Sequence, residues 1–232
     1  MLKNYDKNKL NCLMIGASSK FGLYLSQDLV NYNLIGTSKN KNKLNFLKCQ
    51  FFLDLNSDKS VNKFINNITS YHMRYDLVLF LAGLKPNKSR TKNSFLSGLR
   101  YSEFNSYLKI NCFSNVLILE NLIKNDLLNK RAKIIFFSSA AGSIEQRGKL
   151  THHKKRGDLL YRISKSAINC AVKNISYDLN KKNFITLSIH PGYAINTNDY
   201  NLYSKKIKKL IDNISQSDNG KFIDPNKNNI PW

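Results

Sequence analysis

A tyrosine and a lysine four residues apart have the most specific chemical use in this sequence. Tyr161 and Lys165 fall on one face of a predicted helix, because residues at i and i+4 are neighbours on a helical surface. A tyrosine hydroxyl has an ordinary pKa of ~10, which makes it a poor acid–base group at neutral pH. A neighbouring ammonium favours the phenolate and lowers that pKa. The pair could therefore move a proton to or from the oxygen of a carbonyl/alcohol couple during hydride transfer.

Two polar residues earlier in the chain extend this pair. Ser139 follows a buried-type apolar strand, so its hydroxyl could hydrogen-bond a substrate oxygen at the carboxyl end of that strand. Asn111 falls inside a long predicted helix, where asparagine is mildly unfavourable, and could order a water molecule that links Lys165 to solvent. The candidate catalytic residues are Asn111, Ser139, Tyr161 and Lys165.

A glycine-containing turn follows the first predicted strand. It runs from Gly16 to Gly22 and opens a helix, so backbone N–H groups and the positive helix end could meet a pyrophosphate. Lys20 stands where the usual pattern has its middle glycine. Taken alone, the segment fits equally well a tight strand-to-helix turn without a ligand.

The end of the second predicted strand bears on the choice of dinucleotide. An acidic residue there would accept the ribose hydroxyls of NAD and repel a 2′-phosphate. This chain has Ser38 and Lys39 instead, both of which suit a 2′-phosphate, and Lys20 could supply a second cation. The sequence therefore favours NADP(H) over NAD(H). The alternative is that Lys39 is one more lysine of a lysine-rich chain.

Strand-like runs alternate with helix-like segments along the whole chain. The predicted strands are Leu10–Ile15, Leu34–Thr37, Cys49–Leu53, Asp76–Ala82, Ala132–Phe137 and Phe184–Ile189. The predicted helices are Phe21–Val30, Lys59–Tyr71, Glu103–Leu128 and Leu160–Leu179. This alternation predicts an α/β fold with one doubly wound Rossmann-type parallel sheet and helices on both faces, as a single domain over residues 1–232.

Composition and charge exclude several classes of protein. Hydrophobic residues make up 42% and no apolar run could span a bilayer, so we expect no membrane span. The N-terminus lacks the apolar region of a secretory signal, and the four cysteines form no C-x-x-C pair, which indicates a cytoplasmic protein without a metal site. The net charge of +22 comes mainly from dispersed lysines, so we expect a solvated basic surface and no nucleic-acid partner. A preference for an acidic partner, such as a carrier-linked substrate, remains open.

Together these motifs resemble the short-chain dehydrogenase/reductase family over nearly the whole chain. Gly16–Gly22 is similar to its cofactor turn, Asp54–Leu55 to its adenine-holding pair, Leu81–Gly83 to its N-N-A-G segment and His190–Gly192 to its P-G segment. Cofactor-binding residues are thereby expected at Gly16, Ser18, Ser19, Lys20, Phe21, Gly22, Ser38, Lys39, Asp54, Leu55, Ala82, Gly83, Tyr161, Lys165, Pro191 and Gly192.

The C-factor and sniffer-like carbonyl reductases are the most similar subgroup. Tyr161–Asn169 is similar to their Y-R-x-S-K-x-A-x-N, His190–Tyr193 to H-P-G-W, and Gly220–Asp224 with Ile230–Trp232 to their G-x-F-x-D and I-P-W. The resemblance implies NADPH-dependent reduction of a ketone or aldehyde. It implies that Tyr161 donates the proton, Lys165 binds the nicotinamide ribose, Ser139 holds the carbonyl oxygen and Asn111 supports the proton relay. It also implies a homodimer or tetramer that pairs through the two long helices.

The chain departs from the family pattern near the substrate. The leading asparagines of N-N-A-G are absent, and the segment 146–158, with His152 and His153, lengthens the interval between Ser139 and Tyr161. We expect those histidines in an exposed or substrate-contacting loop rather than as metal ligands. Asn196 and Thr197 lie near the place of a threonine that caps the nicotinamide carboxamide. Substrate-site elements are therefore expected near 143–158 and 193–204, around an open site for small or carrier-linked carbonyl substrates.

Two other functions remain at this point. A 3-oxoacyl-carrier-protein or nucleotide-sugar reductase is favoured by the basic surface. A cofactor-binding signalling protein of low activity is favoured by the altered glycine turn and opposed by the intact set of four catalytic residue types.

Overall fold

The runs of apolar residues that end near chemistry-bearing side chains become the strands of one sheet. The computed structural model describes residues 5–40, 42–87, 98–149, 158–192 and 198–232. In that part of the chain the sheet has seven parallel strands in the spatial order β3–β2–β1–β4–β5–β6–β7. They are β1 Leu10–Ile15, β2 Tyr32–Ser38, β3 Cys49–Phe52, β4 Tyr75–Phe80, β5 Leu128–Phe137, β6 Ile185–Ile189 and β7 Phe222–Ile223.

Helices cover both faces of the sheet. They are α1 Lys20–Asp28, α2 Asp58–Ser70, α3 Tyr101–Leu108, α4 Ser114–Lys124, α5 Leu159–Leu179 and α6 Tyr200–Asn213. A π-helical turn, Lys109–Phe113, joins α3 to α4, and 3-10 turns lie at Ala140–Gly142, Asn180–Lys182 and Gln216–Asp218. The predicted α/β fold with a doubly wound parallel sheet is confirmed.

Alternating side chains of each central strand enter two separate cores. On β1, Leu13 and Ile15 pack toward α2, α4 and α5, while Cys12 and Met14 pack toward α1 and α6. This is why the strands lack a polar face: both faces of the sheet are buried under helices, so both sets of side chains must be apolar.

The predicted single helix Glu103–Leu128 is wrong in two respects. Asn111 sits in the π-helical turn, which divides the segment, and the helix ends at Lys124 rather than at Leu128. The chain leaves the helix through Asp126, whose φ of 54° no helix can continue, and Leu128 begins β5, four residues before the predicted start at Ala132. The bulge that this early start requires includes Arg131, at a φ of 63°.

Strand β4 ends before its predicted boundary. The backbone N–H groups of Leu81 and Ala82 both donate to the carbonyl of Ile15, which turns the chain across the end of β1 instead of extending the strand. The turn brings Ala82 beside Gly16. In the part of the chain that the structure describes, no helix is long and apolar enough to cross a membrane.

Candidate active site

A cleft of about 410 Å³ opens at the carboxyl edge of the sheet. This is the edge where parallel strands deliver the residues that follow them, which is where ligands of doubly wound sheets bind. Predicted site residues that line the cleft are Gly16, Ser18, Ser19, Lys20, Phe21, Ser38, Lys39, Asp54, Leu55, Ala82, Gly83, Tyr161, Lys165 and Pro191. Lining residues that the sequence analysis did not single out are Ile15, Thr37, Leu53, Leu81, Leu84, Lys85, Ile110, Phe137, Ser138 and Tyr200.

The turn after β1 forms one wall of the cleft. Gly16 has a φ of 90°, and a Cβ added there would lie 2.7 Å from the Cβ of Ala82, so only glycine fits. Its N–H donates to the hydroxyl of Thr37 at 2.9 Å. Ser19 caps α1 by accepting from the N–H of Gly22 at 3.0 Å, and the first turn of α1 has no acidic residue. The positive end of α1 is therefore free of carboxylates and suits an anion.

Lys39 and Asp54 line the cleft just beyond the carboxyl ends of β2 and β3. The Lys39 Nζ lies 2.8 Å from an Asp54 carboxylate oxygen. Burial raises the pKa of the Asp54 carboxyl, but its hydrogen bonds with Lys39 and with the Asn56 amide outweigh burial and lower it overall. The hydroxyl of Ser38 accepts from the N–H of Asn40 at 3.0 Å. A cation, a carboxylate and a hydroxyl are thus all present where the adenosine of a dinucleotide would lie.

Ser139 and Tyr161 meet near the carboxyl end of β5. Ser139 caps the 3-10 turn after this strand, with its hydroxyl accepting from the N–H of Ala141 at 3.2 Å, and it also hydrogen-bonds Tyr161. Burial raises the pKa of Tyr161, and the Ser139 hydrogen bond and the charge of Arg162 only oppose that rise. From the sequence we predicted a lowered pKa for Tyr161. The structure raises this pKa, so the predicted direction is wrong. The physical reason is that a buried phenolate loses its hydration.

Lys165 lies below Tyr161 with its ammonium held by backbone. Its Nζ donates to the carbonyl of Phe137 at 2.8 Å and lies 5.9 Å from the centroid of the Tyr161 ring. Burial lowers the pKa of Lys165 to about 8, and the neighbouring Cys112 only slightly opposes this. The ammonium is thus desolvated, and its charge does not dominate the titration of Tyr161.

Asn111 connects two walls of the cleft from below. Its amide oxygen accepts from the N–H of Leu84 at 2.6 Å, and its amide nitrogen donates to the hydroxyl of Ser164 at 2.8 Å. A Cβ added at Gly83 would lie 2.9 Å from that oxygen, so this glycine permits the close approach. The π-helical turn that places Asn111 here is a geometry frequent at functional sites. Asn111 therefore ties the segment after β4 to α5 at the residue that precedes Lys165.

Asp158 is a site residue that the sequence analysis missed. Its buried carboxylate is the N-cap of α5 and accepts from the N–H groups of Leu160 at 3.1 Å and Asn87 at 2.7 Å. The hydroxyl of Tyr107 lies 2.8 Å from the same carboxylate. Asp158 thereby ties the start of α5, which carries Tyr161, to the segment after β4 and to α3. An aspartate directly before a helical pattern was the available signal.

The remaining predicted site residues lie around the cleft rather than in its lining. Gly22 packs beneath the turn, where an added Cβ would lie 2.7 Å from the carbonyl oxygen of Ala17. Gly192 faces the Tyr203 ring, which an added Cβ would overlap. The predicted positions that lie outside the described residues are His152, His153, Tyr193, Asn196 and Thr197.

Comparisons with known proteins match this chain to one family model and to several relatives. Residues 37–226 match a family model described as enoyl-(acyl carrier protein) reductase. The C-signal protein of Myxococcus xanthus is 30% identical over 92 residues, which are 37% of this chain and 55% of that protein, so this chain spans about half the length of that relative. A 3-oxoacyl-[acyl-carrier-protein] reductase of Buchnera aphidicola is 22% identical over 212 residues, 87% of this chain and 80% of that one.

Solved structures show the same fold. The carbonyl reductase Sniffer of Drosophila melanogaster superposes with a TM-score of 0.79 at 21% identity, over 97% of this chain and 100% of that one. A carbonyl reductase from Pseudomonas aeruginosa in complex with NADP superposes with a TM-score of 0.78 at 16% identity, over 96% of this chain and 100% of that one.

Proposed function

Since this chain belongs to the short-chain dehydrogenase/reductase family of oxidoreductases, we propose that it is an NADPH-dependent reductase that converts a ketone or aldehyde to an alcohol. The observation that carries the proposal is the placement of Ser139, Tyr161 and Lys165 at the carboxyl end of β5. Tyr161 and Lys165 line the same cleft as the glycine turn. The proposed proton donor and the glycine turn therefore share one opening.

The chain's own residues fit a dinucleotide. Gly16 and Gly83 both line the cleft, and the end of α1, which has no acidic residue in its first turn, suits a pyrophosphate. Asp54 lies where the family holds the adenine. When bound, the nicotinamide cofactor would supply the hydride.

The protein would supply the proton and hold the oxygen that receives it. Burial raises the pKa of Tyr161, so the hydroxyl keeps its proton at neutral pH, which is the form that a reductase needs. Ser139 hydrogen-bonds Tyr161 and can orient the carbonyl oxygen toward it. Lys165 would hold the nicotinamide ribose, with Asn111 fixing the backbone beneath it.

The preference for NADPH rests on the end of β2. Ser38 and Lys39 follow one another there, and the neighbouring carboxylate of Asp54 is already paired with Lys39. A 2′-phosphate could share Lys39 with Asp54, since the lysine is largely exposed. The neighbour of known structure from Pseudomonas aeruginosa is itself an NADP complex.

Replacing Tyr161 by phenylalanine tests this proposal. The Tyr161→Phe variant should lose at least about 100-fold in kcat with NADPH and a panel of ketones and aldehydes, since the donated proton is missing. It should keep the rise in Tm that NADPH causes in the wild-type protein. The matched control is Tyr177→Phe, which removes an exposed hydroxyl from the same helix. Full turnover by Tyr161→Phe would contradict the assignment.

A carrier-linked substrate is the second candidate. The net charge of +22 and the likeness to a 3-oxoacyl-[acyl-carrier-protein] reductase both favour an acyl chain on an acidic carrier. Nucleotide-sugar substrates would share the same electrostatic preference. A protein that binds NADPH but turns over none of these carbonyl compounds would instead fit a signalling role, for which the likeness to C-signal is the supporting observation.

A further inference from the structure

The side chain of Lys20, at the start of α1, contacts the segment that begins α6. Its Nζ donates to the side-chain oxygen of Asn198 at 2.9 Å and lies 4.5 Å from the centroid of the Tyr200 ring. Lys20 and Tyr200 both line the cleft. Tyr200 is buried and stacks on Tyr24 of α1, with 5.7 Å between the ring centroids. The lysine thus joins the starts of α1 and α6, two helices that pack against each other on one face of the sheet.

The exposed ammonium of Lys20 has no partner of opposite charge among the described residues. The residue opens α1, where the helix dipole already presents positive charge and where cations are unfavourable. Within the described ranges its side chain contacts a neutral amide and an aromatic ring, and no carboxylate pairs with it. A cation beside exposed backbone N–H groups at a helix start is a strong site for an anion.

The two lysines that the sequence suggested for a 2′-phosphate, Lys20 and Lys39, contact elements on opposite sides of β1. Lys39 pairs with Asp54, which follows β3, and β3 lies beyond β2 on one side of β1. Lys20 contacts the start of α6, which follows β6, and β6 lies on the other side of β1, beyond β4 and β5. The adenosine end belongs to the β2–β3 side. The Lys20 side chain therefore points away from the side where a 2′-phosphate would bind and toward the start of α6.

We propose that Lys20, Asn198 and Tyr200 form a clasp over the pyrophosphate of the dinucleotide. In this clasp the Lys20 ammonium pairs with phosphate oxygens while it stays joined to the start of α6, so the bound cofactor stabilises the first turn of α6. The inference rests on the dinucleotide cofactor of the proposed function. It replaces the sequence-based expectation that Lys20 contributes to the 2′-phosphate site, and it assigns a use to the lysine that stands in place of a turn glycine.

Two ligands separate the pyrophosphate from the 2′-phosphate. NADP+ contains both groups, whereas adenosine 2′-monophosphate contains only the second. Calorimetric titration needs no turnover and measures both. Lys20→Met should weaken NADP+ binding by about tenfold or more, the loss expected for one charge-assisted hydrogen bond, and leave adenosine 2′-monophosphate unchanged. Lys39→Met should weaken both ligands.

Three further variants control for charge and folding. Lys63→Met removes an exposed lysine of α2 and should leave both affinities at the wild-type value. Lys20→Arg keeps the cation and should recover most of the NADP+ affinity. The Tm of each unliganded variant is measured alongside, so a folding defect is recognised separately.

Hydrogen exchange tests the link to α6. NADP+ should slow amide exchange in the first turn of α6 in the wild-type protein, and Lys20→Met should lose that protection at saturating NADP+. Equal weakening of both ligands by Lys20→Met would overturn the clasp in favour of a 2′-phosphate contact, and unchanged NADP+ binding would overturn it outright. A wild-type protein that binds neither NADP+ nor NAD+ would overturn the proposed function, and the clasp with it.

Discussion

Lys165 carries a free-energy cost that follows from its burial. Its ordinary pKa of 10.5 falls to about 8 in the folded chain. Between these two values the unfolded chain binds more protons than the folded chain, so stability rises as the pH rises through this window. Below pH 8 the full cost is present, about 3 kcal/mol at ~1.4 kcal/mol for each pH unit. Burial of the Lys165 ammonium beneath Tyr161 therefore lowers the stability of the folded chain.

Replacing Lys165 by methionine should therefore stabilise the fold while it abolishes activity. Loss of the Lys165 hydrogen bond to the Phe137 carbonyl costs about 1–2 kcal/mol. The free energy of unfolding should therefore rise by a net amount of about 1–2 kcal/mol at pH 7. Urea unfolding at pH 7 and pH 9.5 checks this, and the gain should narrow at the higher pH. Lys173→Met is the control, because Lys173 is exposed on the same helix and also donates to a backbone carbonyl. A Lys165→Met variant less stable than wild type at both pH values would contradict the burial argument.

Gly16 and Gly148 form a matched pair for testing the glycine turn. Both have a positive φ near 90°, but an added Cβ would meet Ala82 at Gly16 and, among the residues that the structure describes, nothing within 4 Å at Gly148. Gly148→Ala should cost only the backbone strain of about 1–2 kcal/mol. Gly16→Ala should cost clearly more and should abolish the NADPH-induced rise in Tm. Thermal unfolding with and without NADPH measures both effects, and equal behaviour of the two variants would show that the contact with Ala82 is unimportant.

At the scale of elements, the start of α5 depends on one carboxylate. Asp158 holds Leu160, Asn87 and the Tyr107 hydroxyl, and Tyr161 is the third residue of the helix that it caps. Asp158→Ala should remove the acceptor that joins these three segments and destabilise the chain by about 2–4 kcal/mol. Asp158→Asn keeps an acceptor of the same shape and should cost less.

The comparison for Asp158 is an N-cap with a single partner. Ser57 caps α2 by accepting from the N–H of Ser60 at 3.3 Å, and Ser57→Ala should cost about 1 kcal/mol without any effect on kcat. Chemical unfolding and steady-state kinetics measure the four proteins together. If Asp158→Ala cost no more than Ser57→Ala, the carboxylate would be an ordinary cap rather than a junction of three segments.

At the scale of the whole molecule, the net charge of +22 distinguishes the two candidate substrates. Exposed charges attract an acidic carrier protein over about one Debye length, ~10 Å at 0.1 M salt, and added salt screens that attraction. Raising NaCl from 50 to 300 mM should lower kcat/KM about tenfold or more for an acyl chain on an acidic carrier and leave a small ketone nearly unchanged. Equal salt sensitivity for both substrates would remove the basis for a carrier. The expected dimer or tetramer, paired through the two long segments 103–128 and 160–179, stays a prediction.

Local patterns in the sequence were enough to predict most of the strands and to select the candidate site residues. The apolar runs around Leu13, Val78 and Ile134 indicate buried parallel strands, because both faces of such a sheet are covered. Tyr161 and Lys165 were recognisable from helical spacing, and Gly16 from its place between a strand and a helix. Each of these signals lies within one short segment, so it needs no knowledge of distant contacts.

The tertiary structure alone decided how those residues interact. Burial of the phenol sets the direction of the Tyr161 pKa, Lys20 contacts a residue 178 positions away, and Asp158 contacts a segment 71 positions earlier. The two-residue strand β7 and the bulge in β5 depend on pairing with neighbours rather than on their own composition. Burial, ion pairing and strand register are properties of contacts between distant segments, and these contacts exist only once the chain has folded.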